Sequence, residues 1–183
     1  MNYIPSIIIH GVSQPDRKFI EVEMAFFWMW WNQATDEQQE LIKGFLMNKQ
    51  LEFIGGGWSM NDEGAVHYIS TIDNMSLGHR FIKETFGKEY IPVIGWQIDP
   101  FGHSSFQASA FADMCFIGEF FARIDYGDQA KREKDQTLEM IWRGSVSRPL
   151  ESDIFTHKLY NHYSPLPGFF WELQADGLPR DPP

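Results

Sequence analysis

Val93-Ile94-Gly95-Trp96-Gln97-Ile98-Asp99-Pro100-Phe101-Gly102-His103-Ser104, near the middle of a 183-residue chain, puts a strand, a carboxylate and a helix start in immediate succession. Following Pro92, the short and mostly apolar run Val93 to Ile98 reads as a buried strand. Asp99 stands where that strand ends. Pro100 suits the first position of a helix, where a missing N–H costs nothing, and beyond Ser104 the residues Ala108, Phe111, Ala112 and Cys115 fall at helical spacing. A carboxylate at the C-terminal end of a parallel strand lies where barrels and open α/β sheets carry their chemistry. The simpler account is that Asp99 caps the helix, a common use of Asp before Pro. Trp96, Phe101, Gly102 and His103 crowd around it, and a plain cap requires none of them.

Upstream of this pivot, Phe19 to Glu23 and Leu51 to Ile54 read as strands, the second followed by glycines at 55 to 57 that let the chain turn beneath Trp58. Between them Thr35-Asp36-Glu37-Gln38 has the pattern of a capping box, and Leu41, Ile42, Phe45 and Leu46 make one apolar helix face after it. From Asp62 to Phe86 the apolar spacing predicts one long helix or two, with Gly87 at the C-terminal cap. Downstream, Glu119 to Ala122 and Glu139 to Trp142 read as further strands, and the Pro-, Gly- and Ser-rich segment past Ser147 reads as loop. Strands about thirty residues apart with helices between them are the mark of repeated β-α-β units. The expectation is an α/β fold with a largely parallel sheet and right-handed crossovers.

Composition narrows the function. Fifteen basic against twenty-five acidic residues give a net charge of -10, which repels a polyphosphate backbone, so nucleic acid is not an expected partner. Aromatic residues make up 16% of the chain. Most of the Phe is expected to fill the core, while Trp and Tyr, flat rings with a polar handle, suit the faces of sugars. Cys115 is the one cysteine and is read as a small buried hydrophobe. No run is long and apolar enough for a membrane span, and Ile7-Ile8-Ile9 is too short for the core of a secretory leader.

Gly95-Trp96-Gln97-Ile98-Asp99-Pro100-Phe101-Gly102-His103-Ser104 resembles the nucleophile motif of the retaining α-mannosidases of glycoside hydrolase family 38, in its lysosomal-type form. Phe19 to Phe27 with Trp30-Trp31 resembles the second strand of that catalytic domain, and Gly56-Gly57-Trp58-Ser59-Met60-Asn61-Asp62-Glu63 resembles its GGW-x-M-x-D-E segment. Phe121-Ala122-Arg123-Ile124-Asp125-Tyr126 and Met140-Ile141-Trp142-Arg143-Gly144-Ser145 match as well. The resemblance runs from Tyr3 to Trp171, so residues 1–173 are assigned to a partial, barrel-like β/α catalytic domain, incomplete in this chain, and residues 174–183 to an unmatched tail. Cys115 stands where the family usually has Gly.

By this resemblance Asp99 is both the catalytic nucleophile and a zinc ligand, and Phe101, Arg123 and Tyr163 contact substrate, an α-mannoside glycan. Tyr163 follows Asp153-Ile154-Phe155-Thr156, with Tyr160 as a nearby competitor. Without the family, Arg123 reads as an ion-pair partner of Asp125 or Asp99. The family's remaining metal ligands are a His-x-Asp pair and a later His. None of the chain's 6 histidines begins a His-x-Asp pair, so the other ligands and the general acid are expected outside it, in the remainder of the enzyme chain. His103 is expected to hydrogen-bond in the second rank rather than ligate. Asp62 and Glu63 are left out of the site, as acids suited to a first helical turn. Asn74-Met75-Ser76 is a glycosylation sequon in a segment read as helix, which argues against its use. The implied setting is lysosomal or secreted, although no leader is evident here. The alternative expectation is a truncated, non-catalytic fragment or isoform, with a metal-dependent polysaccharide deacetylase a distant third.

Overall fold

The computed structural model describes residues 16–162 and Ser164. The elements run β1 (Phe19–Glu21), α1 (Met24–Trp31), α2 (Asp36–Met47), β2 (Leu51–Phe53), α3 (Tyr68–Thr85), a 3-10 turn (Lys88–Tyr90), β3 (Ile94–Gln97), α4 (Ser105–Asp113), β4 (Gly118–Phe121), α5 (Tyr126–Asp135), β5 (Glu139–Arg143) and β6 (Asp153–Lys158). β1 and β2 form a parallel pair, and a second sheet has the order β3-β4-β6-β5. In it β3, β4 and β6 are parallel, with Ile94 opposite Gly118 and Gly118 opposite Phe155, while β5 closes the edge antiparallel. Gly55 N–H donates to the Ile94 carbonyl at 2.8 Å, joining the end of β2 to the start of β3. Among the described residues neither sheet closes into a barrel. No described helix is long and apolar enough to cross a membrane.

Local chemistry accounts for most of these elements. Thr35 Oγ1 accepts from Gln38 N–H and the Gln38 side chain accepts from Thr35 N–H, so the capping box opens α2, which buries Ile42, Phe45 and Leu46 and leaves Leu41 at the surface. The run after β1 is helix rather than a continuation of the strand: Met24, Phe27, Trp30 and Trp31 share one face of α1 and are buried. Its first N–H groups have no side-chain cap; Met24 and Ala25 donate instead to the carbonyls of Gly57 and Trp58. Phe27 is fully buried and its ring meets those of Trp30, Trp31, Phe53, Phe81 and Phe86, which makes it the centre of one core cluster. Its burial contributes about 2 to 3 kcal/mol. A second cluster, around Phe111 and Phe116, seats α4 on the larger sheet.

The strap from Gly55 to Glu63 between β2 and α3 depends on two glycines with positive φ, Gly55 (φ 65) and Gly56 (φ 74). It lies so close to α3 that a Cβ on Gly78 would run into the Gly56 carbonyl oxygen. Asn74 secures it from α3, accepting from Ser59 N–H at 3.0 Å and donating to the Ser59 carbonyl at 2.7 Å. The sequon asparagine therefore has its amide engaged within a helix, as its position in the sequence suggested.

The larger sheet is largely parallel, as expected, with β5 alone antiparallel at its edge. Three expectations are corrected. The segment past Ser147 is not all loop, because β6 lies between β4 and β5. Its inward positions are Ile154, Thr156 and Lys158, so two polar residues interrupt the apolar alternation that marks a strand. Second, α3 begins at Tyr68 with His67 as its cap, so Asp62 and Glu63 open no helix. Third, Cys115 is exposed rather than buried, and with φ 66 it holds a left-handed position at the end of α4 that favours glycine.

Candidate active site

β3 ends at Gln97 and α4 does not begin until Ser105, so Pro100 is not its first residue. Ser104 caps α4, its hydroxyl accepting from Phe106 N–H at 3.1 Å. Asp99 is thereby released from capping and stands in the loop beyond the C-terminal end of a parallel strand. Its side chain is 72% exposed, and Oδ1 accepts from Arg123 Nη2 at 3.4 Å. Arg123 leaves the end of the neighbouring strand β4. Asp125, the other partner that the sequence offered it, is occupied: its Oδ1 accepts from Gly127 and Asp128 N–H and caps α5.

Phe101 is 77% exposed, and the guanidinium carbon of Arg123 lies 5.9 Å from its ring centroid. These residues border an open cavity of about 440 Å³, with His103, Phe121, Ile124 and Trp142 in its wall. Of the residues singled out from the sequence, Asp99, Arg123 and Phe101 are therefore brought together. Tyr163 lies outside the described residues.

Beneath the loop is a cluster of charge that sequence reasoning passed over. Glu63, its side chain only 2% exposed, reaches in from the strap: Oε1 is 3.0 Å from His103 Nδ1, and Oε2 accepts from Ser104 N–H at 2.7 Å. His103 Nε2–H donates to the Arg123 carbonyl at 2.9 Å, and the imidazole packs on Phe121 with ring centroids 4.2 Å apart. Both ring nitrogens are therefore engaged, consistent with the expected hydrogen-bonding role and leaving no lone pair for a metal. Burial opposes the imidazolium, but the bond to Glu63 and its charge, the Arg123 carbonyl and the charge of Glu119 together raise the His103 pKa above its ordinary 6.5. Glu119, buried on β4, is pushed up to about 7 by burial and by Glu63, while the Thr156 hydroxyl that donates to it at 3.1 Å and the charge of His103 pull the other way. Asp62 does a local job, its Oδ1 accepting from Gly64 and Ala65 N–H. The signal that pointed to Glu63 was its place in the GGW-x-M-x-D-E segment; nothing local distinguishes it from Asp62.

Zinc, which the resemblance implies, finds no complete site here. Among the described residues no three His, Cys, Asp or Glu side chains converge to hold a metal ion. Asp99 offers one exposed carboxylate, whereas a catalytic zinc takes three protein ligands and water. The described residues alone do not fit the ion.

Residues 2–176 match the model of the glycosyl hydrolases family 38 N-terminal domain. The lysosomal α-mannosidase of Cavia porcellus is 46% identical over 181 residues, which are 98% of this chain and 18% of that protein. That of Homo sapiens is 45% identical over 171 residues, 93% of this chain and 17% of that protein. An α-mannosidase from Enterococcus faecalis V583 superposes with a TM-score of 0.64 at 21% identity, covering 86% of this chain and 17% of that one. At that identity the likeness speaks for the fold. The chain spans less than a fifth of the length of these relatives.

Proposed function

Because this chain belongs to the glycosyl hydrolases of family 38, through their N-terminal domain, we propose that it forms part of the catalytic domain of a retaining α-mannosidase that removes terminal α-mannose from glycans. The observation that carries the reading is the pairing of Asp99 with Arg123 at the C-terminal ends of adjacent parallel strands, where Arg123 and Phe101 also line an open cavity. Asp99 is the nucleophile: a carboxylate oxygen attacks the anomeric carbon as the glycosidic bond breaks and the leaving oxygen takes a proton from a second carboxyl group. Water then cleaves the glycosyl ester and restores Asp99. Arg123 orients the Asp99 carboxylate with its guanidinium, and Phe101 offers an apolar face to the sugar ring.

Tyr163 completes the substrate contacts in this reading, and the second carboxyl group comes from outside the described residues. Asp99 would supply one ligand to a zinc ion that holds sugar hydroxyls, with the other ligands drawn from outside the described residues. The named lysosomal relatives support a lysosomal setting. One observation favours a rival reading in which these residues do no chemistry alone, namely the lack of a converging ligand trio among the described residues. The test of the main reading is covalent trapping in the active enzyme that contains this domain, using a fluorosugar inactivator of manno configuration and peptide mass spectrometry. The expected label sits on Asp99; a label on another carboxylate overturns the assignment.

A further inference from the structure

We propose that Glu63 and His103 form a buried positioning pair that sets the distance between Asp99 and Arg123. This inference rests on the reading of Asp99 and Arg123 just given. Three segments far apart in the chain meet at one imidazole. His103 belongs to the loop that carries Asp99, and its Nε2–H holds the carbonyl of Arg123 itself at 2.9 Å. Glu63, from the strap after β2, holds the same ring from its other side and takes the Ser104 N–H with its second oxygen. Glu63 thereby anchors the C-terminal end of the loop while His103 ties that loop to the end of β4. The strap that presents Glu63 is itself secured, Met60 N–H donating to Glu23 Oε1 at 2.8 Å and Asn61 Nδ2 donating to Gln107 Oε1 at 2.9 Å.

The role is positioning rather than catalysis. His103 borders the cavity, yet both its nitrogens are engaged by protein, and Glu63 is shut away from solvent. Neither has a polar side-chain atom free to meet a sugar. Their effect must pass through the backbone of Arg123 and the loop of Asp99. A 1 Å misplacement of reacting groups costs up to about a hundredfold in rate, so an ion pair already as long as 3.4 Å is sensitive to this support.

Histidine geometry supplies a test that separates the two bonds. The amide nitrogen of glutamine falls near the imidazole Nε2 and that of asparagine near Nδ1. His103→Gln therefore keeps the bond to the Arg123 carbonyl, and His103→Asn keeps only the bond to Glu63. In the active enzyme containing this domain, with p-nitrophenyl α-mannoside as substrate, His103→Asn should lower kcat about 10- to 100-fold with KM changed less than about threefold. His103→Gln should retain at least about tenfold more kcat than His103→Asn. Glu63→Gln still accepts from Ser104 N–H, and its amide can donate to the Nδ1 of a neutral His103 whose Nε2–H still reaches Arg123, so it should outperform Glu63→Ala in the same way. Equal kcat for the Gln and Asn variants at 103, or for the Gln and Ala variants at 63, overturns the positioning pair. If Asp99→Asn keeps full turnover, the reading of the site itself fails; if Asp99→Asn is inactive while the paired variants are equal, only the positioning inference fails.

Discussion

Glu119→Gln should stabilise the protein above pH 7 and leave it nearly unchanged at pH 4. Glu119 is almost completely buried on β4, beneath the loop that carries Asp99, and its pKa stands at about 7 against an ordinary 4.5. Burial is the largest cause and the nearby Glu63 charge the next. A carboxyl group whose pKa is raised by folding contributes stability that is fully present below its unfolded pKa and lost as pH rises through the folded one. Its window runs from 4.5 to about 7. At about 1.4 kcal/mol for each pH unit, ionising this group in place costs the native state about 3 kcal/mol by pH 8. Glutamine has the shape of the protonated acid and still accepts from the Thr156 hydroxyl, so it removes the loss without opening a cavity. The assay is denaturant unfolding of the wild type and the variant across pH 4 to 8, with the difference between them as the quantity read. Glu21, whose pKa folding also raises, tilts both proteins alike and cancels in that difference, whereas His103 is coupled to the Glu119 charge and loses that support in the variant, so its response is part of the quantity read. A gap that is the same at pH 4 as at pH 8, or one that favours the wild type at pH 8, refutes the argument.

The remaining expectations are independent of this one. Gly78→Ala in α3 should destabilise the fold by about 2 kcal/mol in thermal melting, because the added Cβ meets the backbone of Gly56 and Gly57; a gain of about 1 kcal/mol, as helix propensity alone would give, would show that the strap yields freely. Thr35→Ala should cost about 1 kcal/mol by loss of one arm of the capping box, and an unchanged unfolding midpoint would mean that α2 frays at that end in any case. In the active enzyme, Asp99→Asn should abolish turnover of an aryl α-mannoside and weaken zinc binding, whereas His103→Ala should keep the metal stoichiometry; the reverse pattern would exchange their roles. Residues 1 to 183 by themselves should bind zinc only weakly and release no mannose, since the described residues bring one carboxylate rather than three ligands to the site. One equivalent of bound zinc with measurable hydrolysis would show that residues outside those described complete it.

Local pattern determined a good deal of this protein. The capping box of Thr35 and Gln38, the apolar run ending near Gln97, the glycine turn after β2 and the apolar face of α2 depend on residues within a turn or two of each other, so they are legible without a partner in view. The family motifs were legible for the same reason, and with them Asp99, Phe101 and Arg123. Tertiary structure decided the rest. The sequence offered Asp99 as the cap of α4, whereas Ser104 caps it in a fold where Glu63, far back in the chain, takes the Ser104 N–H and so anchors the loop between Asp99 and the helix. Glu63 and Asp62 are neighbours of the same chemistry, yet one is buried against His103 and the other makes a surface turn. β6 was hidden because Thr156 and Lys158 occupy inward positions, and its pairing with β4 joins Phe155 to Gly118 across the intervening helix and strand. Strand and helix propensities are short-range properties that the order of residues carries directly. Which carboxylate is buried, and which strand lies beside which, depend on contacts between segments tens of residues apart, whose free energies exist only once the chain has closed on itself.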